Sequence, residues 1–177
     1  MQQMLANLRA RREDDERGFT LIELMVVVLI IAILIAIAIP TFLGAKTRAQ
    51  DKAAQSSLRN ALTNAKGIYT DNDSYGTTAS LVTALTAAEP SLTFQTAASD
   101  GPKKVSVSSS GTTVVAMAAQ SADGKCYVIA DVASGPGTLF QMQNAGSSCT
   151  PGTLPTGSTV AVTTNAVNST TNWYQSW

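Results

Sequence analysis

A chain of 177 residues, 45% hydrophobic and 14% charged, has room for one modest domain and an appended segment, and for no more than one core. Twelve basic residues balance twelve acidic ones, so no net field argues for nucleic acid or an anionic surface as a partner. Histidine is absent, which removes His-based triads, His-ligated metal sites and imidazole acid–base chemistry.

The charges are unevenly placed. Arg9, Arg11, Arg12 and Arg17 stand against Glu13, Asp14, Asp15 and Glu16 in the opening segment, which closes on Gly18. From Phe19 to Ile39 the chain then runs 21 residues with a single charge, Glu23. A helix of that length covers about 31 Å, one hydrocarbon core, so the segment can span a membrane. It reads as a secretory signal peptide, as a simple anchor, or as a signal cut before the apolar run. The first reading has Ala36-Ile37-Ala38 as an A-x-A cleavage site, but the run is long for it and the preceding segment is bulky and acidic at its end. Charge counting leaves the orientation tied, because Lys46, Arg48, Lys52 and Arg59 follow the run as closely as four arginines precede it.

The stretch "RGFTLIELMVVVLIIAILIAIAIP" closely resembles the N-terminus of type IV prepilins and their pseudopilin relatives: a charged leader ending in Gly, a Phe, then T-L-I-E-L and an apolar helix. The resemblance covers about residues 12 to 70, and beyond that it is one of architecture alone. It implies that a membrane peptidase cuts between Gly18 and Phe19 on the cytoplasmic side and methylates the new amine of Phe19, leaving the apolar helix on the protein. An assembly machinery and further copies of the chain are then the partners, and no cofactor or metal is implied.

Cleavage gives Glu23 a physical purpose. A carboxylate in hydrocarbon costs roughly 2.5 to 3.5 kcal/mol when it has no partner. Once the bond is cut, Phe19 carries an amine that is cationic at neutral pH. Glu23 can meet its own Phe19 amine, about 6 Å of helix rise away, or that of a neighbouring subunit; only the second drives assembly, and the resemblance favours it. The plainer alternative is a carboxylate that snorkels to nearby headgroups.

Pro40 lacks an N–H and crowds the carbonyl four residues back, so it is expected to kink or open the helix there. Leu58, Ala61, Leu62, Ala65 and Tyr69 then recur at helical spacing, with Lys52, Arg59, Asn60 and Lys66 off the stripe. One helix is expected from Phe19 to about Tyr69, apolar all round over 19–39 and amphipathic beyond. "TDNDSYG" closes it with turn formers, and "SLVTALTAAEP" reads as a short helix stopped by Pro90.

Strands are expected at Leu92–Thr96, Lys104–Ser109, Thr112–Ala119, Cys126–Val132 and Thr138–Gln143, joined as an antiparallel meander by "SSG", "SADGK" and "ASGPG". One apolar face of that sheet would pack on the Leu58–Leu62–Tyr69 stripe. From Thr150 the composition predicts an irregular surface segment. Its closing aromatics, Trp173, Tyr174 and Trp177, either pack the tail onto the head or sit at a subunit contact. Asn72-Asp73-Ser74 and Asn168-Ser169-Thr170 fit the N-glycosylation triplet, which arises easily by chance here and assigns no glycan.

In an extracytoplasmic Ser/Thr-rich half, Cys126 and Cys149 read first as a disulfide closing a loop of some 24 residues, with two separate buried thiols as the alternative. The expected fold is therefore α+β: a leader at 1–18, a long N-terminal helix at 19–69 with 19–39 as its membrane and polymerisation half, and an antiparallel-sheet head at 70–177.

Three functions remain in play. A structural pilin would pack helix against helix into a surface filament for adhesion or motility. A pseudopilin of type II secretion or DNA uptake would use the same physics in a short fibre; the major secretion pseudopilins bind calcium through C-terminal acidic residues, and no Asp or Glu follows Asp131 here. A signal-anchored binding module or enzyme lacks support, since no nucleophile–base set, phosphate loop or carboxylate cluster stands out.

Overall fold

The computed structural model describes residues 19–143, 148–152, 154–155 and 173–177. They fall into two compact units, one ending at Gly44 and the other spanning Ala45–Trp177. Helix α1, Leu21–Asn72, is 52 residues long and contributes to both.

Within the first unit α1 is apolar on every side. Within the second it becomes amphipathic and buries Ala54, Leu58, Ala61, Leu62 and Ala65, the spacing of a single helical face. Its end falls at Asn72, beyond Tyr69, and in the last turns Thr70 Oγ1 donates to Lys66 O at 2.8 Å and Asn72 Nδ2 to Ile68 O at 2.9 Å, side-chain bonds that run back along the helix beside its own ladder. Asp73, at φ 51°, then turns the chain in the left-handed region that Asp tolerates better than most residues. Asn72-Asp73-Ser74 is thus a helix stop, whereas Asn168-Ser169-Thr170 lies outside the described residues. Helix α2, Thr78–Ala88, starts on Thr77, whose hydroxyl accepts from Ser80 N, and ends before Pro90 with Glu89 N donating to Leu85 O.

Five strands follow in the order β1-β2-β3-β4-β5: β1 Thr93–Gln95, β2 Lys104–Ser110, β3 Val114–Gln120, β4 Cys126–Val132 and β5 Gly137–Gln143. Pairs from β2 to β5 are antiparallel, with Met117 opposite Ile129 and Ile129 opposite Phe140 at the centre. The β1–β2 pair corrects the expected meander, for it is parallel, with Phe94 opposite Val105. The connection "TAASDGPK" makes no tight hairpin. It detours to Ser99, whose N–H donates to Cys149 O at 2.8 Å and whose hydroxyl accepts from Gln120 N at 2.9 Å, and comes back to start β2 beside the start of β1.

The sheet is also buried on both faces, where one was expected. Val105, Val107, Val115, Met117, Ala119, Tyr127 and Ile129 join the α1 stripe, Tyr75, Leu81 and Leu85 in one core. Their neighbours along the strands, Ala116, Ala118, Val128, Ala130, Val132 and Leu139, join Cys126, Cys149 and Trp173 in a second. Strand β3, "VVAMAAQ", therefore serves two cores in alternation, which explains its unbroken apolar character. Of the described residues beyond Thr150, Pro151, Pro155 and Trp173 are buried and Leu154 is half-buried; the rest of the expected surface segment lies outside the described residues.

Candidate processing and assembly site

The N-terminal end of α1 is built around Thr20 and Glu23. Thr20 N and Thr20 Oγ1 each donate to Glu23 Oε2 at 2.8 Å, and Glu23 N donates to Thr20 Oγ1 at 3.2 Å. This reciprocal pair is a capping box, which satisfies orphan donors of the first turn. Its signature, T-x-x-E ahead of an apolar run, stands in "FTLIEL", so Thr20 is readable from the sequence as the partner of Glu23. Gly18 and the rest of the leader lie outside the described residues, and Phe19, at the first described position, is 86% exposed.

From Leu21 to Leu43 the helix presents Leu, Ile, Val, Met and Phe side chains on all sides, each about half exposed or more, and none of its most apolar window is buried. A helix of soluble protein hides such residues; here the chain's own atoms do not. The segment is long and apolar enough to cross a membrane by length and composition. The helix continues through Pro40, where the hydroxyl of Thr41 donates to Ile37 O at 3.2 Å and Ala38 O at 2.9 Å, supplementing a ladder that Pro40 weakens.

In the second unit two charges carried by α1, Asp51 and Lys66, are paired within the chain. Lys66 reaches Asp131 at 2.8 Å, and Asp131 also accepts from Tyr75 Oη at 2.6 Å and Thr138 Oγ1 at 3.1 Å. Burial, reinforced by that hydrogen bond to Asp131, raises the Tyr75 phenol and keeps it a donor. This network pins the end of α1 to the sheet. At the other end Lys125 bridges Asp51 at 2.8 Å and Asp123 at 2.9 Å. Neither tie to α1 has a sequence signal, since Lys66 and Asp131, and Asp51 and Lys125, are far apart in the chain.

Desolvation opposes ionisation of Asp123, yet the hydrogen bond from Lys125 prevails and the carboxyl falls from 3.8 to about 2. A depressed carboxyl stabilises the fold above its ordinary value and loses that contribution as pH drops through the folded one. Thermal melts of the native chain should therefore fall between about pH 4 and pH 2. Asp123→Asn should melt lower at neutral pH and lose less across that window; an unchanged acid limb would separate Asp123 from acid stability.

Cys126, opening β4, and Cys149 are joined by a disulfide with Cα atoms 5.4 Å apart. Trp177 sits edge-on to Tyr127 and Phe140, its Nε1 donates to Gln141 O at 3.1 Å, and the Arg59 guanidinium lies 5.2 Å from its ring centroid. Tyr174 pairs with Phe140 across the edge of β5. The described end of the tail is packed onto the head. Among the described residues no three acidic or cysteine side chains gather as a metal site requires.

A capped apolar helix, long enough to cross a membrane, that continues into an α+β head is an arrangement consistent with the pilin fold. Residues 14–39 match the family model described as the prokaryotic N-terminal methylation motif, the leader signal of type IV pilins and pseudopilins, and that motif belongs to structural subunits rather than to an enzyme. No curated protein and no solved structure matches the chain.

Proposed function

We propose that this chain is a structural subunit of a type IV pilus. A prepilin peptidase cuts at Gly18/Phe19 and methylates Phe19, the monomer waits in the cytoplasmic membrane, and an assembly machinery withdraws it into a helical homopolymer on the cell surface. One observation carries the reading: the methylation motif matched at 14–39 includes the start of helix α1, whose apolar side chains from Leu21 on the chain itself leaves uncovered. Lipid covers them in the monomer, and neighbouring helices cover them in the polymer. Glu23 then pairs with the Phe19 amine of a neighbour, and Pro40 is the point at which the helix opens as it leaves the bilayer.

Imaging shear-recovered surface filaments from a host with and without this chain tests the role. Filaments that contain the chain and vanish with it support a pilus subunit. Unchanged filaments from the deleted strain would leave a pseudopilin's short fibre as the better account.

A further inference from the structure

The head unit is electrically polarised along α1. The Lys125–Asp51 pair fixes the β3–β4 hairpin beside the early part of α1 within this unit, and the Lys66–Asp131 pair fixes the end of β4 beside its late part. At the early end Lys46, Arg48 and Lys52 are exposed and, among the described residues, enter no ion pair. Lys103, also exposed, leads into β2 at that same end, since the start of β2 pairs with the end of β3. At the late end the exposed carboxylates Asp71 and Asp73 likewise enter no ion pair among the described residues. Arg48 and Asp71 are separated by roughly 35 Å of helix rise.

The acidic end breaks a local rule. Backbone carbonyls make a helix C-terminus negative, so cations are favoured there and carboxylates are not. Yet α1 has no basic residue in its last turn and carries Asp71 one position before its final residue, Asn72, with Asp73 just past its end. A local conflict without local compensation points to a partner outside the chain.

Resting on the pilus-subunit reading, we infer that the Asp71/Asp73 end of one head docks against the Lys46/Arg48/Lys52 end of the next copy. The two surfaces differ and lie at opposite ends of one unit, so the contact is head-to-tail and does not close on itself. Such contacts propagate into open fibres. Charge complementarity then sets register and steers encounter, while helix packing supplies the bulk of the affinity. An anionic bilayer surface is the other chemistry that the basic end would suit, and the test separates it.

The test uses the full-length chain in its host. One set of changes reverses the acidic end, Asp71→Lys with Asp73→Asn; a second reverses the basic end, Arg48→Glu with Lys52→Glu. The first set should not harm the fold, because a cation suits a helix C-terminus and Asn tolerates the left-handed conformation at position 73. Cell-associated chain is measured alongside sheared filament, so that lost assembly is distinguished from lost protein. Each set alone should lower filament yield about tenfold at normal chain levels, and the two combined should restore it to within about twofold of wild type. Normal yield from either set overturns the inference. So does loss in both that the combination fails to rescue, because the basic end is then meeting lipid or another component. A wild-type chain that forms no filaments would sink the pilus reading and this contact with it, whereas wild-type filaments insensitive to both sets sink the contact alone.

Discussion

Glu23→Ala is expected to insert in the membrane and be cleaved normally, while filament yield collapses by tenfold or more, about 1.4 kcal/mol per decade against a lost charge pair of about 2 kcal/mol or more in hydrocarbon. The geometry around Thr20 adds a complication that sequence reading alone leaves out. Glu23 Oε2 accepts from both Thr20 N and Thr20 Oγ1, so alanine also dissolves half of a capping box worth about 1 kcal/mol. Glu23→Gln separates the two roles, because an amide oxygen at this position accepts the cap hydrogen bonds as Glu does and carries no charge. If charge pairing with a neighbour's Phe19 amine is what assembly needs, Gln fails as badly as Ala. Near-normal filaments from Glu23→Gln would reduce Glu23 to a helix cap.

The second large effect falls on the head. Cys149→Ser should lower its stability by about 2 to 5 kcal/mol, the range for losing a native disulfide from a small extracytoplasmic domain. Entropy of the unfolded loop is only part of the reason. Cys149 is buried in the second core with Val128, Ala130 and Trp173, and its carbonyl receives the N–H of Ser99, which holds the connection between β1 and β2 in its detour. Cutting the bond therefore loosens two segments together, the covering of the second face and the edge of the sheet at β1. The α1 stripe lies in the other core and should persist. Chemical denaturation with and without reductant measures the loss, and hydrogen exchange locates it. Early exchange in β1 and the chain after Cys149, with Leu58 and Leu62 still protected, is the expected pattern; uniform loss across the head would contradict it.

Local signals in the sequence carried much of the fold, and the long-range ones were invisible. β4 could be read residue for residue, because period-two alternation between "GK" and "ASGPG" bounds it on both sides. The parallel placement of β1 could not, since it depends on Ser99 meeting Cys149, two segments that no local pattern connects. The second core was hidden for a related reason: alanines at 116, 118 and 130 look neutral in sequence, and only their pairing across β3 and β4 turns them into a packed face. At the N-terminus the resemblance singles out Gly18, Phe19 and Glu23, whose roles in cleavage and assembly remain proposals. Thr20 carries a sequence signal of its own, the T-x-x-E spacing of a capping box, which the expectations for this segment left out. The networks at Asp131 and Lys125 lay beyond sequence reading, because each joins α1 to a strand or hairpin more than half a head away in the chain.

Everything proposed about assembly depends on where the mature chain begins, and the intact mass of protein purified from its host measures that directly. A chain that starts at Phe19 and carries one added methyl on its amine is the expected result, and Gly18→Val should leave the uncut precursor in the membrane. A chain that starts at Ile39, after cleavage at Ala36-Ile37-Ala38, would have lost Glu23 and the apolar helix and would contradict the account at its root.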